Sequence, residues 1–179
     1  ELYRNAVAAA ARNAGFDDGW DDQSLPRTKE AGGNAYEDDD GNNRIWVWTN
    51  YRRVADDDRY NAKLPFPTVE ASLGDQTLGD ASSPHRAMEP QLGIVWGLLL
   101  RRSDYKLIDP SDPAVAQADA VAAELASFEP RYEDCGWRYH GFVSLAEVLD
   151  SSNQQDALTE ILTPKLAALR AAIERHFPA

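Results

Sequence analysis

The sequence predicts one α+β domain over residues 1–179. Its sheet is small and mainly antiparallel, built on a hairpin over 34–53 and on strands within 131–143. A buried central helix and C-terminal helices pack it. Three observations carry that prediction. Asp40-Gly41 stands between two strand-like runs, the strongest short-range hairpin signal. Leu92 to Leu100 is almost wholly apolar and must be buried. Leu158, Leu162, Leu166, Leu169, Ile173 and Phe177 keep one helical face for about five turns.

Taken in chain order, Leu2 to Ala14 reads as a helix with Tyr3, Val7, Ala10 and Ala14 on one stripe, ended by Gly15 with Phe16 as its apolar follower. Asp17 to Gly33 is polar and loop-like. The strand Asn43 to Arg53 alternates Ile45, Val47 and Thr49 with Trp46, Trp48 and Asn50. Both faces begin apolar, so it is expected to be central or covered on both sides. Asp56 to Ser83 holds no clear element beyond a short strand at Pro67 to Ala71. Pro90 is placed to open a helix running to about Arg102, with a buried strand over Gly93 to Leu100 as the alternative that periodicity leaves open. Tyr105 to Ile108 reads as a short strand. Asp112 caps a helix with Pro113 at its first position and a stripe of Val115, Ala118, Ala122 and Leu125. Ser144-Leu145-Ala146-Glu147 and Ser152-Asn153-Gln154-Gln155 are capping boxes for the last helices, and Thr163-Pro164 should kink or split the final one.

Composition narrows the function classes. Twelve carboxylates lie between Asp17 and Asp58 beside five bases, a local net of −7 within a chain net of −12. That balance opposes broad binding to phosphate chains or acidic membranes and favours steering toward basic partners. The single Cys135 precludes an internal disulfide, and with it we expect a reducing, cytoplasmic setting. The start, Glu1-Leu2-Tyr3-Arg4, runs into an alanine-rich helix and shows no apolar signal region. No apolar stretch approaches the ~20 residues of a membrane span.

A calcium loop needs a glycine sixth and a glutamate twelfth. Setting Gly41 sixth puts Tyr36 first and Val47 twelfth, so Asp38-Asp39-Asp40 reads as a hairpin turn. A metal-dependent hydrolase or nuclease could use Asp56, Asp57 and Asp58 with Glu70, Asp75 and Asp80, or Asp104-Tyr105-Lys106 as an acid-x-Lys half-motif. Cys135 near His140 lacks an orienting partner in a straight strand. His85, His140 and His176 are too dispersed for zinc, and Gly32-Gly33 is no phosphate loop. We therefore expect no metal and no cofactor. Trp46 and Trp48, rimmed by Arg44, Arg52 and Arg53, are core residues or an aromatic platform. Trp137 and Tyr139 repeat that spacing, and neighbouring strands would align the four.

The expected function is a non-catalytic acidic interaction module, an inhibitor, immunity-type antagonist or assembly subunit that binds a basic protein or a basic groove. Its candidate binding residues are Asp38, Asp39, Asp40, Trp46, Trp48, Arg52, Arg53, Asp56, Asp57 and Asp58. A metal-dependent hydrolase or nuclease-like domain is the second expectation, and an aromatic-pocket reader of a modified base or peptide the third.

Overall fold

Helix α1 (Leu2–Asn13) is followed by β1 (Trp20–Asp22), β2 (Gly33–Glu37), β3 (Asn43–Arg53), a 3-10 turn (Val54–Asp56), α2 (Asp57–Asn61), β4 (Phe66–Asp75) and β5 (Leu92–Arg101). The chain then forms α3 (Pro113–Glu124), β6 (Trp137–Ser144), α4 (Ala146–Leu149) and α5 (Gln154–His176). The structure is a computed structural model and describes residues 2–22, 33–37, 43–75, 92–125 and 137–178. The fold is α+β. Its strands all pair antiparallel in the order β1-β3-β4-β5-β6, with β2 beside the other half of β3. The hairpin pairing stands, with Glu37 opposite Asn43. Its Asp38–Asp40 turn lies outside the described residues.

The expected central helix is a strand. Leu92–Arg101 is β5, hydrogen-bonded to β4 on one side and β6 on the other. An apolar run unbroken by polar residues is what a strand covered on both faces carries, and the β-branched pair Ile94-Val95 favours it further. Ile94, Trp96, Leu98 and Leu100 join the core, the last three residues of that set lying at most 6% exposed. Gly141 lets the sheet close, since a Cβ there would stand 2.8 Å from the Trp96 indole. Two further expectations fail. Residues 105–109 form no strand, and the passage after Asp56 holds α2 and the long strand β4.

Helices α1, α3 and α5 cover one face. Tyr3, Val7, Leu158, Leu162, Leu166, Leu169, Ile173 and Phe177 meet Tyr51, Val69, Ala71, Ile94, Leu98 and Val143 in one core. Asp112 Oδ1 accepts from Ala114 N at 2.9 Å, as its cap position requires. The cap of α5 lies one residue later than the Ser152–Gln155 box places it: Asn153 Oδ1 accepts from Asp156 N at 3.2 Å. Half of the expected capping box forms at α4: Ser144 N donates to Glu147 Oε1 at 3.0 Å, while the Ser144 hydroxyl accepts from Ala146 N at 3.2 Å and not from Glu147 N. Gly15 sits at φ +86° while Phe16 N donates to Ala11 O, closing α1. The expected split of α5 is absent: the helix runs through Pro164, and Thr163 Oγ1 donates to Thr159 O at 2.7 Å. Continuous burial of its leucine face outweighs the local cost of proline.

Candidate functional site

The sheet face away from the helix layer mixes buried polar side chains with the apolar Phe66 and Leu99. Along β4, Thr68, Glu70 and Ser72 alternate with Val69, Ala71 and Leu73, and only the second set joins the core. Register sets Asn50 opposite Glu70 and Arg52 opposite Thr68. On the far side Glu70 pairs with Gly97 and Thr68 with Leu99. Six polar side chains are buried here: Asn50, Arg52, Thr68, Glu70, Ser72 and Arg101. Burying so many polar groups is unfavourable unless each finds a partner.

Most do. Thr68 Oγ1 donates to Leu99 O at 3.0 Å, and the Ser72 hydroxyl donates to the Glu70 carboxylate. Arg52 reaches outward, where its two terminal nitrogens bond Asp57 and Asp21, the latter at 3.2 Å. The Arg52 guanidinium also lies over the Tyr60 ring, 4.7 Å from its centre. Burial pushes the Glu70 carboxyl up to about 7, opposed by the Ser72 hydrogen bond and the Arg101 charge. Asn50 Oδ1 and Arg52 Nε are among the buried atoms with no hydrogen-bond partner among the described residues. Asn50 is 3% exposed and Arg52 8%.

A second feature adjoins the first at Arg52. Asp17, Asp18, Asp21, Asp57 and Asp58 are all exposed where the turn after α1, β1 and the start of α2 converge. Val54 N donates to Gly19 O at 2.9 Å, and Asp21 and Asp57 share Arg52, which ties these segments into one corner.

Arg53 and Asp56 belong to neither feature. They form a bidentate pair at 2.9 Å on both arms, both almost wholly buried, and Arg53 also donates to Phe177 O. This pair clamps the end of α5 to β3. Asp38, Asp39 and Asp40 lie outside the described residues. Trp46 and Trp48 are placed by register alone, opposite Asn34 and Ser72. The expected alignment of these tryptophans with Trp137 and Tyr139 is corrected by strand order: β4 and β5 separate β3 from β6, about 14 Å of sheet. Asp104 of the acid-x-Lys half-motif sits in a turn, bidentate to Arg102 at 2.9 and 3.0 Å. That hydrogen bond to Arg102 holds its carboxyl down at about 2. Among the described residues no three His, Cys, Asp or Glu side chains are grouped to hold a metal.

Sequence reasoning passed over Asn50, Thr68, Ser72 and Arg101 and met Glu70 only as one acid among several. The signal was the period-two alternation from Thr68 to Leu73, which marks a strand with one apolar and one polar face. No family model, curated protein or solved structure matches this chain.

Proposed function

We propose that the chain is a non-catalytic interaction module that docks a basic protein partner on its acidic corner, as an inhibitor, antagonist or assembly subunit. The observation that supports this reading is the corner itself. Five exposed carboxylates face solvent there, while the neighbouring bases turn inward, Arg52 onto two of those aspartates and Arg53 onto Asp56. Exposed charge of one sign steers a partner of the other and falls off with salt. A cytoplasmic location belongs to the same proposal and rests on the lone Cys135. Among the described residues no helix is long and apolar enough to cross a membrane.

The experiment compares two doubly reversed variants of equal net charge, Asp18→Lys/Asp58→Lys at the corner and Asp150→Lys/Glu160→Lys away from it. Each is titrated with a defined lysine-rich peptide at low and at physiological salt. The corner variant should weaken binding several-fold more than the distant one, and the difference should shrink with salt. Equal losses mean that bulk charge alone attracts the peptide, and the docking corner is then wrong.

A further inference from the structure

Helix α2 buries none of its five residues, yet hydrogen bonds fix it at both ends. A helix this short does not persist on its own. At its start the Asp57 carboxylate accepts from Arg52. At its end Leu64 N donates to Arg59 O at 2.9 Å and Lys63 N to Tyr60 O at 3.2 Å, a Schellman closure. Ser103 Oγ donates to Tyr60 O at 2.6 Å, which ties α2 to the turn after β5. That turn is braced in its own right, since Tyr105 N donates to Arg102 O at 3.2 Å and Asp104 holds Arg102 by two bonds. Each segment contains a strained residue: Lys63 at φ +57° and Tyr105 at φ +55° occupy left-handed positions that suit glycine. The same two segments carry Tyr60, Leu64, Tyr105 and Leu107, four of the seven large apolar side chains exposed among the described residues. Tyr105 and Leu107 are 70% and 69% exposed. The bracing and the strain hold a surface here, because none of these four side chains belongs to the core. Charge is sorted along that surface. Asp57 and Asp58 stand at the start of α2, in the acidic corner, while Lys63 stands just past its end and Lys106 beyond the Ser103 bond, all four exposed.

We propose that α2 and the turn over 102–107 form an interface between two copies of this chain, paired about a two-fold axis with their α2 helices antiparallel. A two-fold interface must be complementary to itself, and a surface with acid at one end, base at the other and apolar side chains among them meets that condition. Asp57 and Asp58 of one copy face Lys63 and Lys106 of the other, and Tyr60, Leu64, Tyr105 and Leu107 pack near the axis. This pairing rests on the docking reading of the acidic corner, whose basic partner it names as a second copy. An acidic partner of another kind would suit Lys63 and Lys106 but would set like charge against Asp57 and Asp58. A second copy supplies both signs in the required places.

The test is sedimentation equilibrium of the full chain over a wide range of concentration, which should show a monomer–dimer equilibrium. Leu64→Ser/Leu107→Ser should weaken pairing about tenfold or more while the Tm of the monomer stays level, since both leucines are exposed. Lys63→Glu and Asp58→Lys should each weaken it about fivefold. Bulk repulsion makes the opposite prediction for Asp58→Lys, because that change takes the chain's net charge from −12 to −10. The double variant Asp58→Lys/Lys63→Glu keeps the parent's net charge and should restore pairing to near the parent's strength, each exchanged charge meeting its exchanged partner across the axis. A chain that stays monomeric at every concentration overturns the proposal. So does stronger pairing in Asp58→Lys, a double variant no tighter than its singles, or a dimer indifferent to the leucine changes. The lysine-rich peptide is titrated at chain concentrations below pairing, so the two readings fail separately: a monomeric chain that still loses the peptide in the corner variant overturns the pairing alone.

Discussion

Arg53 and Asp56 show how a pair of charges in an acidic stretch can be structural. Both are nearly excluded from water, the two hydrogen bonds between them are 2.9 Å long, and the third donor reaches the last turn of α5. Removing one partner leaves the other charge buried alone, the costly case. Asp56→Ala should therefore destabilise the fold by about 3–5 kcal/mol in urea unfolding. Asp57→Ala, whose pairing with Arg52 is half-exposed, should cost only about 0–1 kcal/mol. Similar losses for both would mean that burial does not separate them. Glu70 gives a pH-dependent counterpart. Burial raises its folded carboxyl from an ordinary 4.5 to about 7, so the folded state holds its proton more tightly than the unfolded chain. Its contribution is fully present below about 4.5 and is lost as pH rises through about 7. The groups that face it, Ser72 and Arg101, limit the rise without cancelling it. Glu70→Gln should flatten the fall in stability across that window by an amount of order 3 kcal/mol. A variant with the parent's full pH slope would place the titration elsewhere.

At the scale of elements, what the sequence disclosed and what it hid have different physical origins. Local chemistry was legible. Asp112 with Pro113, Ser144 with Glu147 and Gly15 with Phe16 each act through bonds to neighbours a few residues away; the first and last form as their residue types require, and the second forms by half. The state of Leu92–Arg101 was not legible, because an apolar run buried on every side has lost the periodicity that separates helix from strand. Only pairing with β4 and β6 decides it. Pro164 errs the other way. Its local signal is strong, yet Leu158, Leu162, Leu166 and Leu169 are fully buried and hold α5 in one piece. The helix thus carries a local cost that packing offsets. Pro164→Ala, at an exposed position, should restore a backbone donor and stabilise the protein by about 1–3 kcal/mol in thermal unfolding. No gain would show that α5 is already bent to suit proline.

The whole molecule joins a helix-covered apolar face, a polar face, and a corner of exposed acid. The polar face was hardest to read in the sequence. Asn50, Glu70 and Arg101 come from three strands, and only the order β3-β4-β5 with its register brings them onto one face. The acidity was plain from composition, but its division into buried Asp56 and exposed Asp57 and Asp58 depends on where the chain turns after β3. That division has a consequence for stability. With 30 acidic against 18 basic side chains, the folded state confines more like charge than the extended chain does. Salt screens this repulsion, with a Debye length falling from about 30 Å at 0.01 M to about 8 Å at 0.15 M. The exposed pairs, such as Arg175 with Glu124 and Arg170 with Glu174, lose strength over the same range, but each is worth only about 0–1 kcal/mol. The buried Arg53–Asp56 pair is shielded from the change. Repulsion should therefore dominate, and the urea midpoint should rise as sodium chloride is raised between those limits. In Asp18→Lys/Asp58→Lys the rise should be smaller, because part of the repulsion has been removed at the corner where it is concentrated. A midpoint that falls with salt in the parent would mean that surface ion pairs outweigh the acidic excess.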